Sequence, residues 1–87
     1  MDEAEKNRVL FTQLVIMFHA ATMQQLGKVK HPVTGVVGKD LPAAQATIDI
    51  LDMLHARTKG NLSGEEEQLL TEILQDLKLG YVQESKS

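Results

Sequence analysis

Residues 9–26 are apolar on every side of the helix they predict, in a chain of only 87 residues. At about 100° per residue, Leu10, Leu14, Met17 and Ala21 share one face of that helix. Phe11, Val15, Phe18 and Leu26 share a second, and Val9, Ile16, Ala20 and Met23 a third. A helix that is apolar all round must be buried on all sides or sit in lipid. The rest of the chain supplies two further helices, which cover one broad side of it. Burial of the remainder therefore calls for a second copy of the chain or for an unidentified protein partner. The residues expected at that interface are Val9, Phe11, Ile16, Phe18, Ala20 and Met23.

A lipid-spanning reading fails on length and polarity. A spanning helix needs about 20 mainly apolar residues. This run has 18 and is interrupted by Thr12, Gln13, His19, Thr22, Gln24 and Gln25. The first residues, Met1-Asp2-Glu3-Ala4-Glu5, lack the positive start of a secretory signal, so a cytoplasmic protein is expected. The absence of cysteine agrees, and it also excludes disulfides, thiolate catalysis and cysteine–zinc sites.

The expected architecture is all-α. A long apolar first helix spans about 4–26, an irregular Gly/Pro-containing loop 27–39, a second helix about 40–59 and a third about 64–83. The last two are expected to form an antiparallel hairpin, and homo-oligomerisation completes the single domain. Gly27 stops the first helix, since glycine adopts the left-handed conformation at little cost. Asp40 is a good N-cap for the second, and Pro42 suits its first turn. Ala44, Ile48, Leu51 and Leu54 form its apolar stripe, and Gly60 ends it. Ser63-Gly64-Glu65-Glu66 is a capping-box sequence for the third helix. That helix carries Leu69, Leu70, Ile73, Leu74, Leu77, Tyr81 and Val82 at helical spacing. Gly80 within it costs about 1 kcal/mol relative to Ala, which points to close packing or to a weakened end. The loop valines, Val29, Val33, Val36 and Val37, are apolar enough that at least some are expected to pin the loop to the helices.

The residues that carry this reading also resemble a known family. They are the apolar first helix ending in Leu26-Gly27, then Pro32-Val33-Thr34-Gly35, then Ile48-Asp49-Ile50-Leu51-Asp52-Met53-Leu54. The resemblance is sharpest at Thr58-Lys59-Gly60-Asn61-Leu62, which is followed by Glu65-Glu66 and ends at Tyr81-Val82. In these the chain resembles the small bacterial family known as domain of unknown function 1844 (DUF1844). The match runs from about Arg8 to Gln83, and residues 35–39 depart from it most. The resemblance implies a small helical cytoplasmic protein of bacteria and no particular chemistry.

No residue cluster amounts to an active site, so the chain is read as a non-enzyme with no cofactor and no metal. Asp49, Asp52 and His55 lie about one turn apart on the second helix. A metal there would need ligands from a facing helix, such as Glu72 and Asp76 turned inward. The simpler reading is a solvated polar face. His19 sits in the apolar helix, more in keeping with a neutral histidine at a helix contact than with an acid–base group. Gly35-Val36-Val37-Gly38-Lys39 imitates a phosphate loop, but Val33 stands where a glycine is needed and Asp40 where a Ser or Thr belongs.

The net charge of -3 gives no electrostatic case for nucleic acid or for an anionic membrane. Lys28, Lys30, His31 and Lys39 nevertheless make loop 28–39 basic. A weak RNA or anion binder is therefore the alternative to an interaction module, although no aromatic stands among these residues to stack a base. The remaining candidate interaction loop is Thr58, Lys59, Gly60 and Asn61. Its structural reading accounts for all but Lys59, with Gly60 as helix stop, Asn61 satisfying backbone groups, Leu62 plugging the core and Ser63 as cap.

Overall fold

The computed structural model describes residues 2–86 and contains three helices in that span, with no strand. These are α1 (Glu3–Gln25), α2 (Leu41–Arg57) and α3 (Gly64–Ser85). Each helix touches the other two.

The helix ends are where local sequence acts most directly. Asp2 caps α1 by accepting from the Glu5 N–H at 2.8 Å. Glu3 and Glu5 add negative charge at the positive end of the helix dipole. At the other end, Gly27 has φ +77°, the Gly27 N–H donates to Gln24 O at 3.0 Å and the Lys28 N–H to Met23 O at 2.9 Å. That pair of bonds is a Schellman motif, which satisfies carbonyls a helix end otherwise leaves open. The Asp40 carboxylate caps α2 by accepting from the Ala43 N–H at 3.1 Å, with Pro42 in the first turn. The capping box of α3 is complete. Ser63 Oγ accepts from the Glu66 N–H at 3.2 Å, and Glu66 Oε1 accepts from the Ser63 N–H at 2.9 Å.

The core is built from Val15 and Leu26, from Ala44, Ile48 and Leu51 of α2, and from Leu70, Leu74 and Leu77 of α3. Its aliphatic composition follows from a chain with three aromatic residues. Buried hydroxyls are satisfied locally. Thr22 Oγ1 donates to Phe18 O at 2.7 Å. The Thr47 hydroxyl lies 3.1 Å from Ala43 O and 2.9 Å from Gln25 Oε1, which ties α2 to the end of α1. Such pairing matters because a buried polar group without a partner costs about 1–3 kcal/mol. Gly80 is buried because Leu26 lies on it: a β-carbon built there would stand 3.2 Å from Leu26 Cδ1. Close packing, and not a weakened end, accounts for that glycine.

Two polar pairs link α2 to α3. His55 Nε2 meets Glu67 Oε1 at 2.6 Å, and Lys78 Nζ meets Asp52 Oδ1 at 2.8 Å. Along α2 Asp52 precedes His55, whereas along α3 its partner Lys78 follows Glu67.

The loop differs from its expectation. Val29, Val33, Val36 and Val37 are all exposed, Val33 to 86%. Polar groups hold the segment instead. The Asp40 N–H donates to Gln25 O at 2.7 Å, and the His31 N–H donates to Val36 O at 2.9 Å. Lys28 and Lys39 both reach Glu84 of α3, at 2.8 and 3.0 Å. With its ends anchored this way, the loop stays in place without burying its valines.

Candidate functional site

The feature that sets this domain apart is the outer side of α1. Val15 and Thr22 are its fully buried positions, and Phe11, Phe18 and Met23 pack half-buried against the core. The opposite side carries Val9, Leu10, Leu14, Ile16 and Met17, all exposed, Ile16 to 53% and Met17 to 66%. Of the six residues expected at an interface, Val9, Ile16 and Ala20 are on the exposed side. Phe11, Phe18 and Met23 face the chain's own core. The two phenylalanines offer the most apolar surface on the helix, so the core takes the side that holds them. The expected set leaves out Leu10, Leu14 and Met17. They lie on one of the two apolar faces of α1 that lack an aromatic residue, the other being that of Val9, Ile16, Ala20 and Met23.

At its C-terminal end this exposed side opens into a groove of about 470 Å³ beneath the loop, lined by Ala21, Gln24, His31, Val36 and Lys39 among others. Two of the basic residues suspected of binding an anion are engaged within the chain. Hydrogen bonds from Lys28 and Lys39 hold the Glu84 carboxyl below the usual carboxylate range. The ring of His31 accepts through Nδ1 from the Val33 N–H at 3.1 Å. These contacts make Lys28, Lys39 and His31 part of the loop's anchorage.

The Thr58–Ser63 connector is built chiefly from local contacts. Thr58 Oγ1 donates to Leu54 O at 2.7 Å, and the Asn61 N–H donates to Thr58 O at 2.9 Å. Gly60 sits at φ +85°, a conformation that favours glycine, while Leu62 packs half-buried on the core. Lys59 is exposed. A groove of about 440 Å³ lies between this connector and the start of α1, with Asn7, Arg8, Phe11, Thr58, Asn61 and Glu66 in its walls.

The suspected metal constellation does not converge. Asp49 accepts from Gln45 Nε2 at 2.8 Å, Asp52 pairs with Lys78 and His55 with Glu67. Glu72 accepts from Gln68 Nε2, and Asp76 lies 3.8 Å from His19 Nε2. Among the described residues, no group of three or more His, Asp or Glu side chains is placed to hold a metal ion. Nor is any helix among them long and apolar enough to cross a membrane.

These features define a small three-helix domain whose most distinctive surface is an uncovered apolar helix face. The chain matches the family described as domain of unknown function (DUF1844) over residues 8–83, and it belongs to that family. Neither a curated protein nor a solved structure matches it.

Proposed function

We propose that this protein is a non-enzymatic assembly module that associates with itself, most simply as a dimer, through the outer side of α1. The observation that carries this reading is the exposure of Val9, Leu10, Leu14, Ile16 and Met17 on one side of a single helix. Fully burying such a side chain is worth about 1.5–3 kcal/mol, so each half-exposed one forgoes about 1 kcal/mol. Five of them forgo an amount comparable with the low end of a small domain's entire stability, about 5–15 kcal/mol. A two-fold contact buries the same patch on both copies at once. Action in the cytoplasm suits a chain without cysteine.

Ile16→Glu tests the proposal. It places a charge in the centre of the exposed stripe without entering the core. Light scattering should find the wild-type chain associated at tens of micromolar, with thermal stability rising with protein concentration. The variant should be monomeric or should aggregate. A stable wild-type monomer at that concentration would end the proposal.

A further inference from the structure

We infer that the second copy covers α1 and α2 together: the contact runs from the outer side of α1 across the valley between these two helices to Ile50 and Met53, and it leaves α3 outside. This rests on the self-association proposed above and names the surface that completes it. The two helices are neighbours at both ends. At one, the Asp40 N–H donates to Gln25 O at 2.7 Å, and the Thr47 hydroxyl lies 2.9 Å from Gln25 Oε1. At the other, Asn7 and Phe11 share a groove with Thr58 and Asn61. α2 therefore runs back along α1.

The contact between Gln25 and Thr47 marks the flank that each helix turns to the other. At about 100° per residue, Leu14 and Ala21 stand within about 40° of Gln25 on α1, with Leu10 and Met17 next to them on the outward side. On α2, Ala43, Ile50 and Leu54 stand within about 60° of Thr47, and Met53 is the next large side chain outward. Ile50 is 41% exposed and Met53 49%, although both are large and apolar. α3 lies against the other flank of α2, where Asp52 meets Lys78 and Gln45 lines a pocket with Tyr81 and Val82. An apolar strip on α2 thus borders the apolar side of α1, with α3 behind it.

Area requires more than α1. A helix of 23 residues is about 35 Å long and ~10 Å wide, so one side of α1 projects roughly 350 Å². A specific pair buries about 800 Å² per partner. A neighbouring helix must therefore join the contact, and α2, with 17 residues, adds roughly 250 Å² in projection before the relief of its side chains is counted. Charge selects α2 over α3. Within residues 41–56 the titratable side chains of α2 are Asp49, Asp52 and His55. Asp52 and His55 pair with Lys78 and Glu67 of α3, and Asp49 is bound by Gln45 on that same side. Glu3, Lys6 and Arg57 stand at one end of the α1–α2 surface, and Lys39 and Asp40 of the loop groove at the other. The valley between α1 and α3 is charged along its length. Arg8, Glu65 and Glu66 line its groove with Val9 and Thr12, and His19 lies 3.8 Å from Asp76 farther along. Covering that valley would take charges out of water, which is costly unless each finds a partner. The centre of a protein interface is instead depleted of charge and enriched in Met, as the α1–α2 surface is with Met17 and Met53.

Two exposed sites separate the helices. Ile50→Glu puts a charge on the α2 strip, and Val82→Glu puts the same charge on an exposed apolar site of α3. Sedimentation equilibrium should find the dimer of Ile50→Glu weakened about tenfold or more, as a buried interface position requires, and that of Val82→Glu unchanged. Because the chain has no cysteine, a single introduced thiol gives a second readout that needs no charge in the contact. Ile50→Cys should react with a water-soluble thiol reagent about tenfold more slowly at a concentration where the chain is associated than after dilution to the monomer. Val82→Cys should react equally fast at both. Circular dichroism verifies the fold of each variant, and the thiol measurement decides if Ile50→Glu fails to fold. Equal reactivity of Ile50→Cys at both concentrations, or an intact Ile50→Glu dimer beside a dissociated Ile16→Glu, would confine the contact to α1 and overturn the inference while leaving self-association standing. A Val82→Glu dimer weakened as much as that of Ile50→Glu would overturn it in favour of a contact that includes α3. A monomeric wild-type chain would remove both the inference and the self-association beneath it.

Discussion

Gly80 and Leu26 form a pair whose coupling can be worked out from the structure. Leu26 is fully buried at the end of α1, and a β-carbon at Gly80 would lie 3.2 Å from its Cδ1. Leu26→Ala removes a buried branched side chain, a change that costs about 2–5 kcal/mol. The site borders a groove of about 260 Å³ between Met23, Leu79 and Gln83, so neighbouring side chains have room to relax. The expected loss is therefore near the low end, about 2–3 kcal/mol. Gly80→Ala alone brings two opposed effects. Helix propensity favours Ala by up to ~1 kcal/mol, somewhat less this near the end of α3. The added methyl crowds Leu26 and costs about 1 kcal/mol, the low end for overpacking, because the atom it meets is the tip of a flexible side chain. The net change should be small or mildly destabilising. In the Leu26→Ala background the crowding atom is gone, and the same Gly80→Ala change should stabilise by about 1 kcal/mol. The double variant should thus be more stable than additivity predicts by about 1 kcal/mol, the crowding that Leu26→Ala removes. Urea unfolding at one fixed protein concentration measures all four corners of the cycle, with an unchanged slope as the control. Additivity within about 0.5 kcal/mol would show that Leu26 does not rest on Gly80.

Two further outcomes follow from the helix ends and the loop. Ser63→Ala removes the acceptor of the Glu66 N–H and should lower stability by about 1 kcal/mol in the same urea assay, so an unchanged midpoint would contradict the capping box. Glu84 carries the loop lysines with its carboxyl pulled below the usual range, and the folded chain therefore releases that proton more readily than the unfolded one. Its contribution is complete above the ordinary glutamate range and disappears as pH falls through the lowered value. Glu84→Gln should flatten that part of an acid unfolding profile, and a profile identical to the wild type would disconnect Glu84 from Lys28 and Lys39.

What the sequence determined by itself is local. Asp40, Ser63 with Glu66, and the glycines at 27 and 60 act within a few residues of themselves, so helix ends are legible wherever such a residue meets an apolar period. The i, i+3, i+4 stripes of α2 and α3 point one way, and Ile48, Leu51, Leu70, Leu74 and Leu77 are accordingly in the core. The side of α1 that faces inward belongs to the tertiary structure, because apolar residues surround that helix and periodicity then has no direction to report. Packing settled it by burying Val15 and half-burying Phe11 and Phe18, which leaves Leu10, Leu14 and Met17 outside. The same holds for partners remote in sequence. Nothing near Asp52 announces Lys78, nothing near Lys28 announces Glu84, and nothing around Gly80 announces the Leu26 side chain that lies on it. Short-range hydrogen bonding and backbone sterics are written into neighbouring residues. The choice among several equally apolar faces, and the pairing of charges across helices, exist only once the helices have met.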